Sequence, residues 1–164
     1  MGRRRFFHGM LIGLISDTHG LVRADVHRAL AGVELILHAG DVGGPEILDE
    51  LALIAPVHAV LGNTDSSFEL PLPLALDLTL GGLRIHVSHG HELGRPKPAE
   101  LSQAYAADVI VYGHTHVQII EQVGRTLVVN PGAAGPQRFK LAPSVARLTI
   151  EHGVATAALL PLRA

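Results

Sequence analysis

The chain has 164 residues, 48% hydrophobic and 17% charged, with 18 glycines and no cysteine. That length suits one domain around a single core, and without cysteine there are no disulfides, thiolate metal sites or cysteine nucleophiles, so nitrogen and oxygen must hold any metal. Thirteen basic against fifteen acidic residues give a net charge of −2, which lacks the positive excess that releases counterions from long nucleic acids; these are not expected partners.

Arg3-Arg4-Arg5 followed by the apolar run from Phe6 to Ile15 has the outline of a secretory signal. The run passes straight into Ser16-Asp17-Thr18-His19 with no small-residue cleavage site, so the simpler expectation is a disordered extension over residues 1–9 and a single domain over 10–164. No stretch reaches the ~18 consecutive apolar residues of a membrane span, so no membrane partner is expected. The absence of cysteine suits a cytoplasmic protein.

From Met10 the chain alternates apolar runs with helix-like segments, the pattern of parallel strands joined by crossover helices. Met10–Ser16 predicts a strand, and Val22–Leu30 a helix with Val26, Ala29 and Leu30 on one face. Val33–His38 predicts the second strand, and the stretch from Pro45 to Ile54 a helix whose proline suits the first turn. Pro56–Leu61 predicts a third strand, ending at Gly62-Asn63. Leu74–Leu80 and Leu83–Ser88 read as a hairpin about Gly81-Gly82. A helix near Pro98–Ala106 then leads to Asp108–Tyr112, and Val117–Val123, Arg125–Val129, Val145–Ile150 and Val154–Leu160 are further strands. The expected class is α/β, one layered domain with two sheets.

The polar residues of ligand type fall at regular places in this pattern. Asp17 and His19 follow the first strand, Asp41 the second, Asn63 the third, His89 the hairpin, and His114 and His116 the run to Tyr112. Each lies just past the carboxyl end of an apolar run, where open α/β sheets gather ligands. Seven nitrogen and oxygen donors exceed one tetrahedral zinc and suit two octahedral-type cations sharing a bridge. Such a pair stands roughly 3.5–4 Å apart, lowers the pKa of a bridging water and clamps the oxygens of a phosphoryl group. Gly20, Gly40, Gly62, Gly90 and Gly113 each lie beside a proposed ligand, where a side-chain-free backbone allows tight turns. Taken singly, each residue has an ordinary explanation: Asp17 or Asp41 could cap a helix. All seven at one sheet edge mark a site.

The series Asp17-x-His19, Gly40-Asp41, Gly62-Asn63-x-Asp65, His89 and Gly113-His114-x-His116 resembles the five-part motif of the calcineurin-like metallophosphoesterase superfamily. The runs Ile15–Gly20, His38–Asp41, Ser88–His91, Tyr112–His116 and Asn130-Pro131-Gly132 are similar to its short-chain, YfcE-like phosphodiesterase branch. The resemblance implies two mixed β-sheets packed face to face with helices outside. It also implies that Asp17, His19 and His116 bind a first metal, that Asn63, His89 and His114 bind a second, and that Asp41 bridges them. Two dications this close need an anion between them, which a bridging carboxylate supplies.

Two departures stand out. Larger members of the superfamily carry histidine after the motif asparagine, to assist the leaving group or steady the phosphate. Here Thr64 stands in that place, and a hydroxyl is a poor general acid. The small phosphodiesterases also lack that histidine, so the change points to a small phosphodiester or a good leaving group, with His91 and Asp65 the nearest replacements. Ala133 stands where serine commonly follows Asn-Pro-Gly.

The reading is therefore a phosphodiesterase in which a metal-bridging hydroxide attacks phosphorus, while Asn63 and His114 bind metal and stabilise phosphate oxygens. Manganese is the first choice of cation, and nickel, cobalt, iron and zinc fit the same donors. The rivals are a non-catalytic scaffold like the retromer subunit of this fold, in which ligand positions would be lost; a phosphomonoesterase, disfavoured by Thr64; and a nuclease, disfavoured by charge. A homo-oligomer is left open. His27, His58, His86 and His152 are expected to be structural, and His38 either orients a ligand or packs in the core. Arg95, Lys97, Arg138 and Lys140 lie in loops where they could meet a phosphate, although a solvated surface charge is the simpler expectation. An aromatic content of 4% offers no evident base-stacking platform.

Overall fold

The computed structural model describes residues 9–163. The extension expected over residues 1–9 lies, Gly9 apart, outside them. Ten strands and three helices follow one another as β1 (Met10–Ile15), α1 (Ala24–Ala29), β2 (Leu35–His38), α2 (Pro45–Ala52), β3 (Val57–Ala59), β4 (Ala75–Leu80), β5 (Leu83–Ser88), a single 3-10 turn (His91–Leu93), α3 (Pro98–Ala104), β6 (Val109–Val111), β7 (Ile119–Val123), β8 (Thr126–Asn130), β9 (Ser144–Glu151) and β10 (Val154–Pro161). Every expected element is present, with small differences at the ends: the helices and most strands are slightly shorter, and β8, β9 and β10 run slightly further.

The strands form two five-stranded sheets, ordered β10-β9-β1-β2-β3 and β4-β5-β6-β8-β7. In the first, β1 pairs parallel with β2 and antiparallel with β9, and β2 pairs parallel with β3. In the second, β5, β6 and β8 run parallel, with β4 and β7 antiparallel on the edges. The Gly81-Gly82 turn between β4 and β5 has both residues at positive φ, 56° and 81°, the geometry a two-residue hairpin requires.

Strand parity decides what lies between the sheets. Ile12 and Leu14 of β1 and Leu35 and Leu37 of β2 meet Ile85 and Val87 of β5, Val109 and Val111 of β6 and Leu127 and Val129 of β8 in one buried cluster. Burying each such side chain contributes roughly 1.5–3 kcal/mol, so this layer fixes the two sheets face to face. The alternate residues serve the outer faces. Ile15 and Ile36 pack beneath Val26 and Leu30 at α1 and Ile47 and Leu51 of α2, while Ile110, Tyr112 and Val128 pack beneath Leu101 of α3. Strands buried on both faces explain why β1, β2 and β6 are continuous apolar runs. No helix among the described residues is long and apolar enough to cross a membrane.

Candidate metal centre

The carboxyl ends of β1, β2 and β3 in one sheet, and of β5 and β6 in the other, open at the same end of the sandwich. Their following loops are zipped together by main-chain hydrogen bonds. Asp17 N–H donates to Gly40 O at 3.0 Å, His19 N–H to Asp41 O at 3.0 Å and Gly20 N–H to Val42 O at 2.9 Å, joining the β1 and β2 loops; Gly113 N–H donates to His89 O at 3.0 Å, joining β6 and β5. The loops are packed tightly enough that a Cβ on Gly113 would stand 2.0 Å from Ser16 Oγ, across the two sheets, and one on Gly62 would stand 2.1 Å from Asp41 Oδ1, between the β3 and β2 loops. Glycine is needed at both places for close approach, not for an unusual φ.

Positive φ falls instead on the functional side chains. Asp17, His19, Asp41, His114 and His116 have φ of 53°, 44°, 54°, 66° and 62°. Left-handed backbone at residues other than glycine costs of order 1–3 kcal/mol each and persists only where surrounding structure imposes it. Here the interlocked loops impose it, and the result is to aim five side chains inward.

Two overlapping groups of donors follow. One donor atom each from Asp17, His19 and His116 lie within 4.8 Å of one another, as do donors from Asp17, Asp41 and His89. Asp17 Oδ1 is 3.2 Å from His116 Nε2, 3.7 Å from His19 Nε2 and 3.9 Å from His89 Nε2. Asp41 Oδ2 lies 3.2 Å from His89 Nε2 and 3.7 Å from His19 Nε2, between the two groups. The His114 ring is 5.2 Å from that of His89. Asn63 and His114 line, together with Asp41, Thr64 and His116, a shallow cleft of about 180 Å³ that opens onto the cluster. All seven sequence-predicted ligands thus gather at one end of the sandwich. His91 joins their edge, its ring 5.4 Å from His89 and 6.2 Å from His114.

The outer partners leave particular atoms free. Asp17 Oδ2 accepts hydrogen bonds from Ser16 Oγ–H at 2.7 Å and from the His114 main-chain N–H at 3.1 Å. Asp41 Oδ1 accepts from Thr64 N–H at 2.9 Å. His89 Nδ1–H donates to Ala39 O at 2.7 Å, which leaves the Nε2 lone pair facing the cluster. Asp17 Oδ1, His19 Nε2 and His89 Nε2 are buried without a hydrogen-bond partner. Buried polar atoms normally have one, and three that converge are the donor set a divalent cation takes.

Charge in the cluster is strongly coupled. Burial pushes the Asp17 carboxyl up, but the close imidazoles of His116 and His19, the charge of His89 and the hydrogen bond from Ser16 outweigh it and hold the group well below the usual carboxylate range. Burial also opposes ionisation of Asp41, yet His89 and Thr64 bring it down to about 2. His89 is disfavoured as a cation by burial but is raised by Asp41 and Asp17. His114 is lowered, by burial and then by the charge of His89.

Several residues take more definite roles here than the sequence gives them. The Asp65 carboxylate is committed to main-chain amides and not to a leaving group. Its Oδ2 accepts from Val42 N–H at 3.0 Å and Gly62 N–H at 2.9 Å, and its Oδ1 from Gly43 N–H at 3.0 Å, so the side chain is a clamp between the β2 and β3 loops. His38 packs in the core and bonds to residues beside the proposed ligands, not to the ligands themselves. It is fully buried, its Nδ1 accepts from Gly40 N–H at 3.1 Å, and its Nε2–H donates to Thr18 Oγ1 at 2.9 Å, so it ties the two loops that carry Asp17 and Asp41. His27 pairs with Glu50, and His86 with Asp77, as structural histidines do. Sequence reasoning missed Asn130 as a supporting residue. Its Nδ2–H group donates to Gly113 O and Thr115 Oγ1, both at 3.1 Å, and its Oδ1 accepts from Gly132 N–H at 3.0 Å. The run Asn130-Pro131-Gly132 was the signal for it. Arg95 and Arg138 line the cleft; Lys140 sits in the next hollow, beyond His116; Lys97 precedes α3 and lines neither.

Comparison with known proteins agrees with this architecture. Residues 10–153 match the calcineurin-like phosphoesterase superfamily domain. A probable metallophosphoesterase of Methanothermobacter thermautotrophicus is 38% identical over 148 residues, covering 85% of this chain and 81% of its own. The phosphodiesterase YfcE of Escherichia coli K12 is 32% identical over 149 residues, covering 76% of this chain and 79% of its own. The crystal structure of a single mutant of Vps29 from Entamoeba histolytica superposes with a TM-score of 0.76 at 23% identity, covering 94% of this chain and all of that one; at that identity the likeness is one of fold.

Proposed function

Because the chain belongs to the calcineurin-like phosphoesterase superfamily, we propose that it hydrolyses small phosphodiesters at a two-cation centre, with residues 10–164 acting as one domain. The observation that supports this most is the convergence of three buried, unpartnered donors, Asp17 Oδ1, His19 Nε2 and His89 Nε2, on a cleft that is open to substrate.

In this reading Asp17, His19 and His116 would hold one divalent cation and Asn63, His89 and His114 the other, with Asp41 as the carboxylate that would serve both. When bound, the cations would supply Lewis-acid chemistry, lowering the pKa of a water and polarising phosphoryl oxygens. Manganese is the first choice, with nickel, cobalt, iron and zinc compatible with the same donors. The protein does the rest by position. Asn63 and His114 line the cleft and steady the phosphate oxygens. His114, whose pKa burial and His89 depress, stays neutral near pH 7 and keeps a lone pair for its ligand role. Thr64 gives its main-chain N–H to Asp41 Oδ1 and so positions that carboxylate, while its hydroxyl is a poor general acid. His91 stands at the edge of the histidine cluster and is the residue assigned to protonate a poor leaving group.

The test is hydrolysis of bis(4-nitrophenyl) phosphate and 4-nitrophenyl phosphate by metal-stripped protein, with Mn2+, Ni2+, Co2+, Mg2+ or Zn2+ restored singly. Diester cleavage that needs a cation and is lost in Asp41→Ala and His114→Ala supports the proposal. A folded, cation-loaded protein inactive on both esters with every ion contradicts it.

A further inference from the structure

We propose that Arg95 and Arg138 form a subsite for a second phosphoryl group, so that the preferred substrate is a nucleotide-type diester carrying an additional terminal phosphate; this rests on the phosphodiesterase reading. Both guanidiniums line the same cleft as Asn63 and His114. Both side chains are exposed, and among the described residues neither is paired with a carboxylate, in contrast to Arg28 with Asp25 and Arg84 with Asp108. Among the described residues Asp41 is the one acidic residue that lines the cleft, and it is already engaged: Thr64 N–H holds one oxygen and the other faces His89 and His19. Two forked, permanently charged donors are thus left without an anion beside a centre that handles phosphate, and guanidinium geometry matches phosphate oxygens two at a time.

Phe139 indicates what joins the two phosphates. It lies on the cleft wall next to Arg138, is 91% exposed, and has left-handed backbone with φ of 56°. A bulky side chain in that conformation is an outlier, and a large aromatic face held open to water on the wall of an arginine-lined cleft is a stacking surface for a planar base. Lys140, one residue on, extends the positive rim. The chain as a whole is slightly acidic, so this basic edge is local to the cleft and suits a short phosphorylated ligand.

The experiment uses a matched pair of chromogenic diesters, the 4-nitrophenyl ester of thymidine 3′-phosphate with and without a 5′-phosphate. Wild type is expected to favour the 5′-phosphorylated probe by about tenfold in kcat/KM, the difference lying in KM, the order of effect of hydrogen bonds between two guanidiniums and one phosphate. In an Arg95→Gln/Arg138→Gln double variant the ratio between the probes falls to near one, and in Phe139→Ala the KM for both probes rises while their ratio is kept. A second readout does not depend on turnover: calorimetric Kd for thymidine 3′,5′-bisphosphate against thymidine 3′-monophosphate, in wild type and the double variant with Mn2+ present. Tighter binding of the bisphosphate that disappears in the double variant supports the subsite even if neither diester is cleaved, in which case only the phosphodiesterase reading fails. Equal kcat/KM and equal Kd in the wild type, or a preference that survives loss of both arginines, overturns it.

Discussion

Asp17 Oδ1 stands 3.2 Å from His116 Nε2 and, although fully buried, has no hydrogen-bond partner. The other oxygen of the same carboxylate is held by Ser16 and by the main chain of His114. One oxygen is fixed in place so that the other is presented to the cluster. An Asp17→Asn protein keeps the shape and loses the negative charge. It is expected to retain its far-UV circular dichroism and to lose cation affinity and diester hydrolysis by at least about 100-fold, the upper end of what losing even an outer partner of a metal ligand costs. Titration with Mn2+ followed by kinetics checks both.

Asn130 makes a separate prediction, because it touches the Gly113–Thr115 loop and not the donors themselves. Asn130→Ala frees the segment that carries His114 and His116 at positive φ. The expected result is a loss of roughly 10–100-fold in activity or cation affinity, with the loss in activity partly recovered at high Mn2+ concentration. A variant as active as wild type at limiting Mn2+ would remove Asn130 from the account.

His38 predicts a pH dependence of stability. Burial is the main cause that lowers its pKa, to about 4, against an ordinary value near 6.5. The folded protein therefore binds fewer protons here than the unfolded chain between those two values. Stability from this residue is fully present above about pH 6.5 and is lost as pH falls towards 4, a change on the order of 3 kcal/mol at most. Urea unfolding of the metal-free protein at pH 7 and pH 5 should show the loss, and His38→Gln should have a flatter pH dependence while being less stable at pH 7.

His91 is tested by leaving group. Its ring borders His89 and His114 but is absent from the cation-holding set. His91→Gln is expected to leave cleavage of 4-nitrophenyl diesters within about threefold and to slow alkyl or nucleoside leaving groups by about 100-fold, the size of a general-acid contribution. Equal effects on both leaving groups would reduce it to a packing residue.

The architecture was legible in the sequence because strands buried on both faces leave continuous apolar runs, as over 35–37 of β2 and in Val109–Val111, and because ligands collect where parallel strands end. Spacing alone could not give the order of the second sheet, in which β8 inserts between β6 and β7: neighbours in sequence there are not neighbours in space. The local role of Asp65 was also beyond it, since an aspartate that clamps three amides and one that assists a leaving group look the same in a motif. Phe139 shows the same limit. Whether a phenylalanine in a loop is buried or held over a cleft depends on a backbone angle that no periodicity encodes.

The most direct measurement is the number of Mn2+ ions bound per chain by stripped protein, by calorimetry with elemental analysis, for wild type, His116→Ala and His89→Ala. Two ions in the wild type and one in each variant, with diester hydrolysis lost in both, is the predicted result. A wild type that binds one ion or none while folded would contradict the two-cation centre.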